Sequence, residues 1–292
     1  MQARPLMIQG TASGAGKTTV ALALCRIFRL DGFITAPFKS QNMTGNTVTL
    51  PRGGEIAVSQ LLQAYAAETE PTTEINPVIL MPSRDGKSVE LIINGRRQEK
   101  KYAENYENIK DSVIIPEIQK SYDSLYLRNE IIVIEGAGSP VELNLNKNDI
   151  VNMGIAKRVN APVILVADID RGGVFASIFG TLMLMDDKDR QRVKAIVINR
   201  FMGEPAGFEE GKNIIETITN LPVAGIIPHI DFDLPEEDEC LPRRRGEECS
   251  FLADDLVGAK PETEFVMSQI DEIADIIRHS LDMALIYRII GL

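Results

Sequence analysis

Near the N-terminus, Gly10-Thr11-Ala12-Ser13-Gly14-Ala15-Gly16-Lys17-Thr18-Thr19 places three glycines, one lysine and several hydroxyls within ten residues. Glycines let successive backbone N–H groups turn toward one point, and the start of a following helix adds positive dipole there, so the stretch is suited to phosphate oxygens. Gly10, Thr11, Ser13, Gly14, Ala15, Gly16, Lys17, Thr18 and Thr19 are therefore expected to hold a nucleoside triphosphate, ATP. Within it, Lys17 is expected to reach the β- and γ-phosphates and the Thr18 hydroxyl to ligate Mg²⁺. Gly10 and Gly16 enclose five residues, where the common phosphate loop encloses four.

Other charged residues stand where the chain leaves an apolar run. Lys39 follows Phe33-Ile34-Thr35-Ala36-Pro37-Phe38, and Glu135 follows Ile131-Ile132-Val133-Ile134 and enters Gly136-Ala137-Gly138. Residues just past the carboxyl ends of parallel strands face a ligand crevice. A carboxylate delivered by a β-branched strand into a glycine turn is how an acidic group is set beside a phosphate-bound metal. A solvated loop carboxylate is the plain alternative for Glu135, and a surface lysine the plain alternative for Lys39. Glu55 and one of Asp168 or Asp170 are further candidate carboxylates, and Asn199-Arg200 follow Lys194-Ala195-Ile196-Val197-Ile198. Asn199 can cap a turn or read a base, and spacing alone does not choose. His229 and His279 are isolated and suit neither a triad nor a metal cluster.

The elements that must position these groups alternate strand, loop and helix. Pro5–Ile8 reads as a buried strand and Val20–Phe28 as a helix; Glu55–Ala67 has helical spacing after a polar loop, 44–54. Asn76–Pro82 and Val89–Ile93 read as strands, the second entering a tight turn at Asn94-Gly95. Tyr102–Tyr126 reads as a helix interrupted near Pro116, and Asp149 as the cap of a helix through Val159. Ala161–Ala167 and Val223–Pro228 add strands, with a helix over 174–185 between them in the chain. This predicts an α/β fold with a doubly wound, mainly parallel sheet, whose functional loops share one edge. Three parts are expected: a phosphate-loop domain, 1–233; an acidic, proline-bearing linker, 234–264; and an amphipathic C-terminal helix, 265–292. The helix can dock on the body or on a partner subunit, which would make a homodimer.

The chain of 292 residues carries a net charge of −11, a field that repels polyanions and argues against nucleic-acid binding. No apolar run approaches the roughly 20 residues that span a bilayer, so no membrane role is expected and a cytoplasmic location is. Cys25, Cys240 and Cys249 give neither a disulfide framework nor a zinc pattern.

With these motifs assembled, residues 5 to 238 resemble the synthetase domain of cobyric acid synthase, a family related to dethiobiotin synthetase. The resemblance rests on Gln9-Gly10-Thr11 with Gly16-Lys17, Pro37-Phe38-Lys39-Ser40-Gln41-Asn42-Met43 and Gly54-Glu55-Ile56. It extends through Glu135-Gly136-Ala137-Gly138-Ser139-Pro140, Asp168-Ile169-Asp170-Arg171-Gly172-Gly173 and Ile198-Asn199-Arg200-Phe201. The resemblance implies a phosphate-loop fold of the dethiobiotin synthetase type, and ATP-dependent amidation of carboxylates on a corrinoid, adenosylcobyrinic acid a,c-diamide, through an acyl phosphate. It also implies catalytic roles for Lys17, Lys39, Glu135 and Asp170, and metal binding by Thr18, Glu55 and Glu135. Asn199 and Arg200 would lie near the adenine, and Ser40, Gln41, Asn42 and Arg171 would contact the substrate. Family members usually carry a glutaminase domain that has no counterpart here, so ammonia is expected from solution or from a separate glutaminase subunit. A dethiobiotin synthetase-like carboxylase is the rival within the fold. A partitioning or regulatory phosphate-loop ATPase is the rival outside it, and Ala12 stands where partitioning ATPases carry a signature lysine.

Overall fold

In the computed structural model, residues 2–83, 88–144, 149–232, 234 and 261–292 are described. The strands, in chain order, begin with β1 (Arg4–Gly10), β2 (Thr35–Phe38), β3 (Gln41–Met43), β4 (Thr47–Thr49), β5 (Glu55–Ala57) and β6 (Val78–Pro82). They continue with β7 (Val89–Ile93), β8 (Arg96–Arg97), β9 (Ile131–Glu135), β10 (Val163–Asp168), β11 (Val193–Phe201) and β12 (Val223–Pro228). Six of them form one parallel sheet in the order β12-β11-β10-β1-β9-β2. Its inner strands are almost continuous Val, Ile and Leu and are buried, as a sheet covered on both faces requires.

Register turns this sheet into a positioning device. Ile8 pairs with Glu135, Phe38 with Ile134, and Gly10 with Val166, so the strand ends step outward across the sheet from β2 and β9 to β1, which runs two residues past the level of Glu135, and then to β10, which runs two further to Asp168. Asp168 pairs with Asn199 one strand further on. The phosphate loop thus leaves the middle of the sheet, with the Lys39 and Glu135 strand ends on one side and Asp168 and Asn199 on the other. The direction of winding reverses at this point, where open α/β sheets place their ligands.

Helix α1 (Lys17–Leu30) buries Val20 through Phe28. Against it lies the helix Pro261–Ser280, fixed by Arg26–Asp271 at 2.6 Å and by Arg278, which donates to Asp31 at 2.7 Å and to the Ile27 carbonyl at 3.2 Å. The C-terminal segment therefore docks on its own body. It is two helices rather than one, because Asp282 accepts the Leu285 N–H at 2.9 Å and caps a separate helix, Met283–Ile289.

Three other expectations are corrected. The polar stretch 44–54 contains β4, which pairs antiparallel with β5. Glu55–Ala57 is accordingly a strand, and helix α2 (Val58–Ala66) starts only after it, because Asn76 Oδ1 and the Asn46 carbonyl take the Ala57 and Val58 N–H groups. The strands at 78–82 and 89–93 do not join the main sheet; they form a smaller one, β3-β6-β7-β8, turned at Asn94-Gly95. Asp149 does not cap a helix directly. Its carboxylate accepts the N–H groups of Val151, Asn152 and Gly154 in the turn leading to the helix Met153–Arg158. Pro116 sits in the first turn of the helix Ile115–Arg128, where its missing N–H costs nothing. Of the acidic stretch read as a linker, 235–260 lies outside the described residues, and so do Cys240 and Cys249. Among the described residues, no helix is long and apolar enough to cross a membrane.

Gly225 on β12 bridges to Leu281, and a Cβ there would lie 2.2 Å from the Ser280 carbonyl oxygen. Gly225→Ala is expected to lose about 1–3 kcal/mol in urea unfolding, the usual range for forcing atoms into a packed contact. Unchanged stability would show that the terminal helices do not seat on β12 as described.

Candidate functional site

The phosphate loop joins β1 to α1. Gly14 and Gly16 have φ of +70° and +96°, and a Cβ on Gly16 would stand 1.9 Å from Asn199 Nδ2. Glycine at 16 is therefore demanded twice, by conformation and by space. Two residues from the end of β11 hold the loop from behind. Asn199 Nδ2 donates to the Ala15 carbonyl at 3.0 Å, and Arg200 donates to the Gly14 carbonyl and to Asp168, both at 2.9 Å. The Asn199 side chain thus serves the loop backbone.

Lys17 Nζ donates to the carbonyls of Ala12 and Gly138 at 2.9 and 3.0 Å, spanning the phosphate loop and the loop after β9. The second loop has its own brace in Asn152, whose side chain accepts the Ala137 N–H and donates to the carbonyls of Ala137 and Ser139.

Glu135 is 1% exposed and Lys39 2% exposed. Glu135 Oε1 accepts from Lys39 Nζ at 2.8 Å and from the Thr18 hydroxyl at 2.7 Å; Oε2 accepts from Gln63 Nε2 at 2.5 Å and from Gln60 Nε2 at 3.4 Å. Burial alone would raise the Glu135 carboxyl, but the Lys39 charge and the donors from Lys39, Thr18 and Gln63 hold it below the ordinary carboxylate range. At neutral pH it is an anion. The neighbouring Cys25 thiol is pushed up by burial and by this negative charge, so it is inert.

A cavity of about 500 Å³ opens over these groups. Ser13, Gly14, Gly16, Lys17, Thr18 and Thr19 line one end, and Gln41, Asn42 and Met43 line the other. Leu22, Leu62, Phe232 and Leu234 give it apolar walls. Such a size and a mixed lining are usual for small-molecule sites.

Several expected site residues lie elsewhere. Glu55 is turned to Arg97, which donates to its two oxygens at 2.8 and 3.0 Å and lowers its pKa; it does not line the cavity and shares no partner with Glu135. The cause is β5, whose hairpin with β4 directs the side chain to the small sheet. Ser40 is buried and donates to the Ile150 carbonyl at 2.6 Å, so it locks two loops together, and it is not among the residues that line the cavity. Asp170 is exposed and outside the cavity, its N–H donating to Asp168 at 2.8 Å. Arg171 is largely exposed, with its guanidinium 3.6 Å from where a Gly14 Cβ would be. Gly10, Thr11 and Ala15 form the loop's floor behind the lining residues; the Thr11 N–H, for one, bonds the Val166 carbonyl at 2.9 Å.

The groups that were not anticipated are Gln60, Gln63, Asn152 and Asp168 as a brace. Gln60 and Gln63 are i, i+3 on α2 and so share a face, which is the one signal the sequence offers for them.

The residues present suit Mg-ATP. Hydroxyl and carboxylate oxygens from Thr18 and Glu135 meet at the phosphate end, and Mg²⁺ is usually held by one or two such groups with phosphate oxygens and water. Among the described residues there is no group of three His, Cys, Asp or Glu side chains able to hold a metal by themselves.

Comparison with known proteins bears on the fold and the family. The family model described as "AAA domain" matches residues 4–233. The chain belongs to the AAA domain family. Its phosphate-loop architecture is that of the P-loop NTPases. Among curated relatives it is 50% identical over 235 residues to the cobyric acid synthase of Streptococcus sanguinis, covering 80% of this chain and 47% of that protein. It is 48% identical over 238 residues to the cobyric acid synthase of Limosilactobacillus reuteri, covering 82% and 47%. The chain thus spans about half the length of the curated relatives it matches. Among solved structures, the signal recognition particle receptor FtsY from Elizabethkingia anophelis in complex with GDP aligns with a TM-score of 0.44 and 16% identity, over 77% of this chain and 57% of that one.

In this AAA domain, Lys39→Met would leave the Glu135 anion buried without its countercharge. Urea unfolding at pH 7 should show a loss of about 3–5 kcal/mol. Glu135 has a lowered pKa in the folded state, so its contribution is present above the ordinary carboxylate range and fades as pH falls through its lowered value. In Lys39→Met burial raises that pKa, so the gap to the parent protein should narrow on going from pH 7 to pH 5. A gap that stays constant between those pH values would mean that the pair does not carry this energy.

Proposed function

We propose that this domain uses ATP to amidate carboxylates of a corrinoid, in the manner expected of the synthetase part of a cobyric acid synthase. The observation that carries the reading is one cavity lined by Lys17, Thr18 and Lys39 at one end and by Gln41, Asn42 and Met43 at the other, in a chain half identical to cobyric acid synthases over 235 residues. A phosphoryl donor and a carboxylate acceptor can therefore meet within one cavity.

The residues divide the work by charge and position. Backbone N–H groups of 13–19 and Lys17 would cradle the phosphates, and Lys39 would offset the Glu135 charge next to them. Glu135 accepts a hydrogen bond from the Thr18 hydroxyl, which would leave the Thr18 lone pairs for the metal. Mg²⁺, held there by Thr18 with Glu135 behind it, would supply charge neutralisation of the phosphate oxygens. The acceptor carboxylate would attack the γ-phosphorus, forming the C–O–P bond of an acyl phosphate as the bond to ADP breaks. Ammonia would then add to the acyl carbon, release orthophosphate and lose a proton to give the carboxamide. Arg171, exposed over the loop at Gly14, would be available to the transferring phosphoryl group.

Incubation with Mg-ATP, cobyrinic acid a,c-diamide and ¹⁵N-ammonium should give ADP and ¹⁵N-labelled corrinoid amides by mass spectrometry. Lys17→Ala should lower that rate by about 10²–10³, the usual effect of removing one preorganised charge-stabilising group. No corrinoid turnover, together with formation of dethiobiotin from diaminopelargonic acid and CO₂, would replace this reading with that of a carboxylase.

A further inference from the structure

At the acceptor end of the cavity, Asn42 and Gln41 differ in how their amides are engaged. Asn42 is buried and its Nδ2 donates to Gln60 at 2.7 Å. Gln41 Oε1 accepts the phenolic hydroxyl of Tyr106, from the short helix Tyr106–Ile109, and its Nε2 has no protein partner among the described residues. Tyr106 comes from the segment between β8 and β9, outside the parallel sheet and far in sequence from the phosphate loop.

The chemistry of the two groups sets the direction of this bond. A phenol can donate or accept; burial raises the Tyr106 pKa, with Glu107 adding to it, so the hydroxyl keeps its proton. With the amide turned over, the phenol would accept from Nε2 and its own proton would lose its partner in a half-buried position. The ring is also held on its face, since the Lys110 ammonium lies 5.6 Å from its centroid and Lys110 is itself buried.

We propose that Tyr106 is a positioning residue that presents the Gln41 amide to the cavity as a hydrogen-bond donor, so that this end favours a carboxylate of the acceptor over the carboxamide made from it. A donor bonds a charged carboxylate more strongly than a neutral amide carbonyl, by a margin worth about five- to tenfold in affinity. The reacted group is thereby the weaker ligand, which helps the product leave or turn another carboxylate inward. This inference rests on the amidation reading above.

The test measures equilibrium binding of cobyrinic acid a,c-diamide and of its product cobyric acid, in which the acceptor carboxylates have become carboxamides, by the full chain, alongside KM for acceptor and for ATP. Tyr106→Phe keeps the ring and removes the hydroxyl. It should weaken diamide binding about five- to tenfold, bring the two corrinoid affinities toward each other and leave KM for ATP in place. Gln41→Leu should give a similar loss, and the double variant no more than either alone. Gln41→Glu, which replaces the donor with an anion, should weaken the diamide further still. If the parent chain binds the diamide and Tyr106→Phe binds it equally well, or loses ATP and acceptor affinity alike, the positioning role is overturned while the amidation reading stands. If the parent chain binds no corrinoid, both fall.

Discussion

The buried pair between Lys39 and Glu135 is the contact on which the rest of the site depends. Lys39 follows β2, Glu135 ends β9, Thr18 lies in the first turn of α1 and Gln60 and Gln63 belong to α2, so one carboxylate ties together the ends of two strands and two helices. A buried ion pair is seldom a large net gain in stability, because taking two charges out of water offsets most of their attraction. This one is tolerable because both Glu135 oxygens are satisfied by two donors each. It also fixes a negative charge and a positive charge in one geometry beside the phosphate loop, the kind of fixed polar arrangement on which electrostatic preorganisation rests.

Around that pair, the loops are held by side chains that bond to backbone. Asn199 and Arg200 grip the phosphate loop at Ala15 and Gly14, Asn152 grips the loop after β9 at Ala137 and Ser139, and Asp149 organises the turn in between. Loops of this kind carry few apolar contacts of their own. Their shape therefore comes from polar bonds to residues delivered by neighbouring strand ends, and the parallel register of β1, β9, β10 and β11 brings those residues together. The smaller sheet adds the other wall through Gln41, Asn42 and Met43, and Tyr106, from the helical segment before β9, hydrogen-bonds Gln41.

Residues that could hold a metal or touch a substrate also serve purely structural ends. Glu55 and Arg97 form such a pair, joining β5 to β8 across the small sheet. Ser40 does the same between the β2–β3 connection and the loop before Met153. In both, the side chain has the chemistry expected of a ligand but faces a protein partner at hydrogen-bond distance.

The chain by itself determined the phosphate loop, the alternation of strand and helix, and the strand-end placement of Lys39, Glu135 and Asn199, because glycine spacing and runs of β-branched residues are local signals. Tertiary structure decided the partners. That Glu55 meets Arg97, that Asn199 braces Ala15, and that Gln60 and Gln63 close on Glu135 all depend on pairings between segments far apart in sequence. Periodicity records which residues are apolar on a face, but it holds no term for which distant polar group will lie opposite. A strand break as short as Glu55–Ala57 is invisible to it for the same reason, since its hydrogen bonds go to β4 and Asn76 and not to its own neighbours.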